Sequence, residues 1–400
     1  MFLIQVALKL CQPFLNKKIM YFYQNQGKLF KNSNPDSSPL WIHATSGELE
    51  YAIPLIEELS KNFSHIPLLV THSSLSSKNN LDQLPVAMTG VIPLDSYYDV
   101  SNFLNLVRPR ALLISRTEIW PELIHQLHER EIPSFLFSAT FAPGSKKMGL
   151  FSRLFISQAL TQMNKVFVVS RDDKQNAEKL FSELKVEALG DTRYDRVADK
   201  LSKPAPISLP THNQILVLGS IWHEDAKIFL PILVDLKKLG WKIIWTPHEI
   251  HSDEILGLEG QFKAMGLNSQ RLSQNPDTHL WEKNDILIID QVGLLAYLYT
   301  LARISFVGGS FRQQVHSVME PLGAHSPVLV GPYYLNNREA IEFERLGCVK
   351  VARTSSELLS QIQNLDRDYD KITQLLKIEI KNRRGATHKL VQALRERKIF

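Results

Sequence analysis

From Leu40 to Gly331 short apolar runs alternate with longer segments of helical period, and the alternation is run through twice. Leu40–His43, Pro67–Thr71, Ala111–Ser115, Ser134–Ser138 and Lys165–Val169 read as strands. Leu49–Phe63 and Asp172–Phe181, with apolar residues three and four apart, read as helices between them. The series restarts with Gln214–Gly219, Lys242–Thr246, Asp285–Asp290, Ile304–Gly308 and Val328–Gly331. Strands this apolar, separated by helices, belong to parallel sheets covered on both faces. Between the two series, Pro204, Pro206 and Pro210 break the periodicity and favour an extended connector.

The expected fold is therefore α/β, with two doubly wound, Rossmann-like domains facing a cleft. Residues 31–202 form the first, 203–212 the linker and 213–368 the second. A basic helical pattern without a strand companion occupies 369–400. The 400 residues exceed the ~250–300 at which single cores stop growing. Parallel α/β sheets bind ligands beyond the carboxyl ends of their strands, so two facing sheets put the site in the cleft.

Two cysteines, Cys11 and Cys348, exclude a disulfide framework and a cysteine-rich zinc site. The net charge of +5 proves nothing about nucleic acid. The distribution says more: residues 1–31 hold Lys9, Lys17, Lys18, Lys28 and Lys31, no acid, and an apolar set from Phe2 to Tyr23. The lysines break the run short of the ~20 residues a spanning helix needs, and no small-residue cleavage site follows. Residues 1–30 thus suit a helix in the membrane interface, where each basic residue near an anionic surface contributes roughly 1 kcal/mol. A helix packed on its own domain is the alternative. The chain lacks a GxxxxGK-S/T loop and a GxGxxG turn, which counts against P-loop and standard dinucleotide enzymes. Asp366, Asp368 and Asp370 read as solvated surface, with no metal site expected.

Trp41-Ile42-His43-Ala44-Thr45-Ser46-Gly47-Glu48 runs from a buried strand into a polar turn. Gly47 is expected to permit the sharp turn, and Glu48 to sit in a helix first turn, where the anion is stabilised. That would suit a general base, though a simple helix-start acid has the same pattern. Ser115-Arg116-Thr117-Glu118-Ile119-Trp120-Pro121 repeats the arrangement after an apolar strand, with Pro121 a good first-turn residue. Arg193 closes the first series, where it either reaches an anionic ligand or pairs with Asp191 or Asp195.

In the second series, Gly219 and Ser220 precede a helix start, a ready anion site. Pro247 and His248 follow the next strand. Gly308-Gly309-Ser310 leads to His316-Ser317-Val318-Met319-Glu320-Pro321, where exposed amides would favour phosphate and Glu320 could accept from ribose hydroxyls.

Taken together and in order over about residues 40–350, these pieces resemble the Kdo (3-deoxy-D-manno-octulosonic acid) transferases of lipopolysaccharide synthesis. The family pattern has a W-I/V-H-x-x-S-x-G-E turn, an E-T-E-L-W-P strand end and G-N-L-K-F-D or G-D-T-R-F/Y-D before the linker. Its second domain has A-G-S-x-x-x-x-E, P-R-H-P or P-H-E, D-x-x-G-E-L and F-V-G-G-S…H-N-x-x-E…P-V-I/L-x-G-P. The resemblance implies the GT-B architecture. It implies inverting transfer of Kdo from CMP-Kdo to a lipid A precursor (lipid IVA), peripherally or N-terminally anchored at the cytoplasmic face of the inner membrane.

By the same resemblance Glu48 is the general base, with Glu118 and Arg193 supporting the transition state. Gly219, Ser220, Pro247, His248, Val292, Gly293, Leu294, Gly309, Ser310, His316, Ser317, Val318, Met319 and Glu320 hold the donor. Ser46, Gly47 and Arg116 face the acceptor. No cofactor and no metal is implied, because departing CMP carries a single phosphate that helix N-termini and basic side chains can stabilise. The chain departs from the pattern at several places. The Glu48 turn is one residue shorter, Arg116 stands for a glutamate, Leu294 for an acid and Ser317 for an asparagine. Two other classes share these features: a GT-B enzyme using a UDP-sugar, and a non-catalytic membrane-peripheral relative.

Overall fold

The computed structural model describes residues 25, 27–29, 38–45, 47–73, 81, 84–141, 150–204, 206–207, 209, 212–274 and 283–400. The chain divides into two compact units, Met1–Arg196 with Arg383–Phe400, and Val197–Asn382. The division falls inside the helix Arg193–Ser202, upstream of the proline-rich 203–212. It also parts the expected segment 369–400, because the helix Ala386–Glu396 belongs to the first unit. The reason is local. Asp195 accepts from the amides of Gly385 (2.6 Å) and Thr387 (2.8 Å) and from the Thr387 hydroxyl. Leu390, Val391 and Leu394 then enter the same core as Leu55 and Ile56.

In the first unit β1 (Leu40–His43), β2 (Leu68–His72), β3 (Met88–Val91), β4 (Ala111–Ser115), β5 (Ser134–Ala139), β6 (Lys165–Val168) and β7 (Val186–Ala188) make one parallel sheet in the order β3-β2-β1-β4-β5-β6-β7. Side chains alternate across it as the pleat requires. Leu40, Ile42, Val70 and Leu113 face the helix Leu49–Asn62, and Trp41, Leu69, Leu112 and Ile114 face the side of the helices Tyr97–Val107 and Pro121–Glu129. Each such buried aliphatic side chain stabilises the fold by roughly 1.5–3 kcal/mol. Leu29 bridges Gly90 on edge strand β3, where a Cβ on Gly90 would lie 2.7 Å from the Lys28 carbonyl oxygen. Glycine is needed there for close approach of backbone to backbone.

In the second unit β8 (Ile215–Ile221), β9 (Lys242–Pro247), β10 (Ser269–Arg271), β11 (Ile286–Ile288), β12 (Ile304–Val307), β13 (Val328–Val330) and β14 (Val349–Val351) pair in parallel in the order β10-β11-β9-β8-β12-β13-β14. Helix starts in both units carry side-chain caps: Ser96, Ser170, Asn337 and Thr354 each accept from a backbone N–H three residues on. Among the described residues no helix is long and apolar enough to cross a membrane. Of the expected interfacial segment 1–30, only residues 25 and 27–29 fall within the described part.

Candidate active site

In the first unit the strand order reverses between β1 and β4, the place where an open parallel sheet leaves a crevice beyond its carboxyl ends. The loops after these two strands carry Glu48 and Arg116-Thr117-Glu118. Glu48 is buried, at 9 % exposure, and its backbone is already helical at the start of Leu49–Asn62. Its side chain does not cap that helix. Oε1 accepts from the Thr117 hydroxyl at 2.6 Å, and Oε2 has no hydrogen-bond partner among the described residues. Burial pushes the carboxyl above its ordinary range, and the neighbouring Glu118 charge adds to this, against the lowering hydrogen bonds from Thr117 and Thr45 and the influence of His43. The first-turn position was expected to favour the anion. Desolvation outweighs it, because a buried carboxylate loses its water before a helix end can repay it.

Glu118, about a third exposed, meets the fully buried His43 ring, Oε2 to Nε2, at 3.0 Å. The His43 Nδ1 lies 2.9 Å from the Thr71 hydroxyl, which in turn accepts from the Trp41 indole N–H at 2.7 Å. Arg116 has a left-handed backbone, φ 64, and donates to the Tyr51 hydroxyl. Its guanidinium lies 5.1 Å from the Tyr51 ring centre, and that of Arg193 4.3 Å from the same centre. Of the alternatives open for Arg193, pairing with Asp191 is realised, with Nη2 to Oδ2 at 2.6 Å, while Asp195 serves the C-terminal helix. Gly47 is not forced by the turn: its φ is not left-handed, and a Cβ there would meet nothing within 4 Å. Ser46 lies outside the described residues.

In the second unit the corresponding reversal lies between β8 and β12. Sequence reasoning expected an anion site at the Gly219-Ser220 turn and exposed amides at the His316–Pro321 helix start; between these turns the structure places Asp225, which takes the Gly309 amide and two others. This fully buried carboxylate accepts from Trp222 (3.0 Å), Gly309 (2.8 Å) and Phe311 (3.2 Å) backbone N–H groups. Burial raises its carboxyl above the ordinary range, and those three bonds pull the other way. An acid three residues after a helix-flanking position is a capping signal, so Asp225 could have been found from spacing. Ser310 is likewise engaged: its hydroxyl donates to the Val307 carbonyl and accepts from the Gly331 N–H at 2.7 Å. Gly219 is explained by packing, since a Cβ there would fall 1.9 Å from the Tyr299 hydroxyl oxygen.

Beside this frame three rings stack. His248 lies 4.0 Å from Trp222 and 4.6 Å from His316, centre to centre, and the Arg312 guanidinium covers Trp222 at 4.0 Å. The Trp222 indole donates to His316 Nε2 at 2.9 Å, which requires that nitrogen to be unprotonated. Partial burial holds both histidines below their usual range. Pro247 is half-buried, Ser220 is half-buried with φ 55, and Val292, Gly293 and Ser317 are exposed. Leu294, Val318 and Met319 are buried, so their side chains are spent on the core. Glu320, expected at a ribose, pairs with Lys200 at 3.1 Å.

A family model described as 3-deoxy-D-manno-octulosonic-acid transferase (kdotransferase) matches residues 17–196. The 3-deoxy-D-manno-octulosonic acid transferase of Rickettsia felis is 29% identical over 350 residues, covering 85% of this chain and 72% of the relative. That of Aquifex aeolicus is 24% identical over 351 residues, covering 86% and 89%. Over these stretches the chain is similar to the Kdo transferase family. Its fold is GT-B. A UDP-GlcNAc 2-epimerase from Neisseria meningitidis superposes with a TM-score of 0.62 at 16% identity, over 89% of this chain and 99% of that one. A glycosyltransferase from Rickettsia africae does so with 0.53 at 11% identity, over 90% and 98%. At such identities these two likenesses concern architecture alone.

Proposed function

We propose that the chain is an inverting glycosyltransferase that moves Kdo from CMP-Kdo to a lipid A precursor, lipid IVA, in lipopolysaccharide synthesis, with Glu48 as general base. The observation that carries the reading is the state of that carboxyl. One oxygen is fixed by Thr117, the other has no partner among the described residues, and burial makes the group more basic than an ordinary glutamate. A base works best when its pKa approaches the working pH. In the proposed step the acceptor hydroxyl gives its proton to Glu48 while its oxygen bonds the anomeric carbon of Kdo. The bond from that carbon to the CMP phosphate breaks, and its electron pair leaves with CMP.

Glu118 and Arg193 are assigned to transition-state support, and Arg116, Gly47 and Ser46 to the acceptor. Two guanidinium groups beside Tyr51 suit a phosphorylated or carboxylated sugar. For the donor, Gly219, Ser220, Pro247, His248, Val292, Gly293 and Ser317 are assigned to contact. Leu294, Gly309, Ser310, His316, Val318, Met319 and Glu320 are assigned mainly to shaping the ground beneath it. CMP has one phosphate, so the reaction as proposed requires no chelated metal. The basic, apolar N-terminal segment is assigned to the lipid surface at the cytoplasmic face of the inner membrane, and deleting residues 1–23 is expected to release the protein from vesicles without loss of its thermal transition.

The deciding assay mixes the protein with CMP-Kdo and a tetraacyl lipid A precursor and counts additions by mass spectrometry. Thermal protection by CMP and not by UDP is expected. Protection by UDP alone would favour a UDP-sugar enzyme, and no product despite CMP protection would favour a non-catalytic relative.

A further inference from the structure

We infer that His43, oriented by Thr71 and Trp41, is the residue that positions Glu118; this rests on the role proposed above for Glu118. Hydrogen-bond polarity fixes the order of the chain. The Trp41 indole N–H can only donate, so the Thr71 oxygen accepts it at 2.7 Å. A carboxylate can only accept, so the His43 Nε2 at 3.0 Å from Glu118 carries a proton. The Thr71 hydroxyl lies 2.9 Å from His43 Nδ1 and can donate to it in the Nε2–H tautomer or accept from it in the imidazolium; either way Nε2–H faces Glu118.

His43 and Thr71 are both fully buried, at the ends of adjacent strands β1 and β2 in the register His43 opposite Thr71. Neither ring nor hydroxyl can therefore reach a ligand. Glu118, by contrast, is part-exposed, and its next contact, the Ser73 hydroxyl, is long at 3.4 Å. A side chain on a loop loses rotamer freedom only through such partners. His43 supplies the anchoring bond, and Thr71 and Trp41 supply the reason the ring cannot turn.

The test uses the full-length protein in the transferase assay with CMP-Kdo, reading kcat and KM separately. His43→Gln offers an amide N–H near the place of Nε2, whereas the shorter His43→Asn leaves Glu118 without it. His43→Asn is expected to lower kcat roughly 10²-fold, as misplacement of a reacting group does, with KM for CMP-Kdo within about twofold. His43→Gln is expected to recover about tenfold of that loss. Thr71→Val is expected to fall between the two and Thr71→Ser to match the parent. Equal activity of the two His43 variants, or a Thr71→Val enzyme as fast as the parent, overturns the inference. If the His43 variants lose their thermal transition, the Thr71 pair decides. A Glu118→Gln enzyme of parental kcat would instead remove the role of Glu118 itself, which keeps the two failures apart.

Discussion

In the first unit the acid that follows the central strand, Glu48, rests one oxygen on Thr117 and leaves the other without a partner among the described residues. In the second unit the acid in the same place after the central strand, Asp225, is bonded at both oxygens by three backbone N–H groups. Both carboxyls are buried and both are raised, each chiefly by desolvation. The difference lies in satisfaction. A buried acid whose acceptors are filled by backbone holds loops together, whereas one with an unfilled acceptor keeps a reactive valence at a cost in stability. On the proposed reading, the first unit carries the base and the second a backbone-bonded platform.

Exchanging each acid for its amide breaks or sharpens this contrast. Glu48→Gln is expected to lower kcat by roughly 10³-fold, within the range of general-base removal, while CMP still protects the protein against heat. An enzyme of near-parental turnover would end the contrast outright. The same variant has a stability signature. A carboxyl raised in the folded state contributes stability that is full below its unfolded pKa and is lost as pH rises through the folded value. Where pH exceeds that folded value the ionised Glu48 is a burden, and Glu48→Gln should melt above the parent, the advantage fading as pH falls through the folded value and gone below about pH 4. A lower melting temperature above the folded value would mean that Glu48 is structural after all.

Asp225→Asn is expected to do the reverse. The amide brings N–H groups to a place where three backbone donors need acceptors, so destabilisation of about 1–3 kcal/mol follows. Urea unfolding of the second unit measures it, and a neutral result would put the two acids on the same footing. Asp195→Ala removes the acceptor shared by Gly385 and Thr387 and should cost about 1–2 kcal/mol, seen as faster hydrogen exchange across Ala386–Glu396. The smallest effect is expected at Arg116→Gly. Relief of the left-handed backbone stabilises by about 1 kcal/mol, partly offset by loss of the Tyr51 contact, while KM for the lipid acceptor rises. An unchanged KM would remove Arg116 from the acceptor side.

The sheet interiors could be read from sequence and their margins could not. β3, β7, β10 and β14 escaped an apolar-run criterion, and all four are edge strands. Val186-Glu187-Ala188, Ser269-Gln270-Arg271 and Val349-Lys350-Val351 are short and carry polar or charged residues, as edges do when they are kept from pairing further. Glu48 and Glu118 stood out because each follows a central strand. The His43–Glu118 pair did not, since it joins residues 75 apart in sequence. The amides taken by Asp225 lie 84 and 86 residues downstream, so the glycine turn looked open when it was filled.

Because Leu390, Val391, Leu394 and Ile399 complete the core of the first unit, that unit cannot close until those residues have been made. Val197–Asn382 must be made before the closing helix appears. The usual order, in which the N-terminal part folds first during synthesis, is thus inverted, and the inserted unit has the opportunity to mature while its host still lacks a wall.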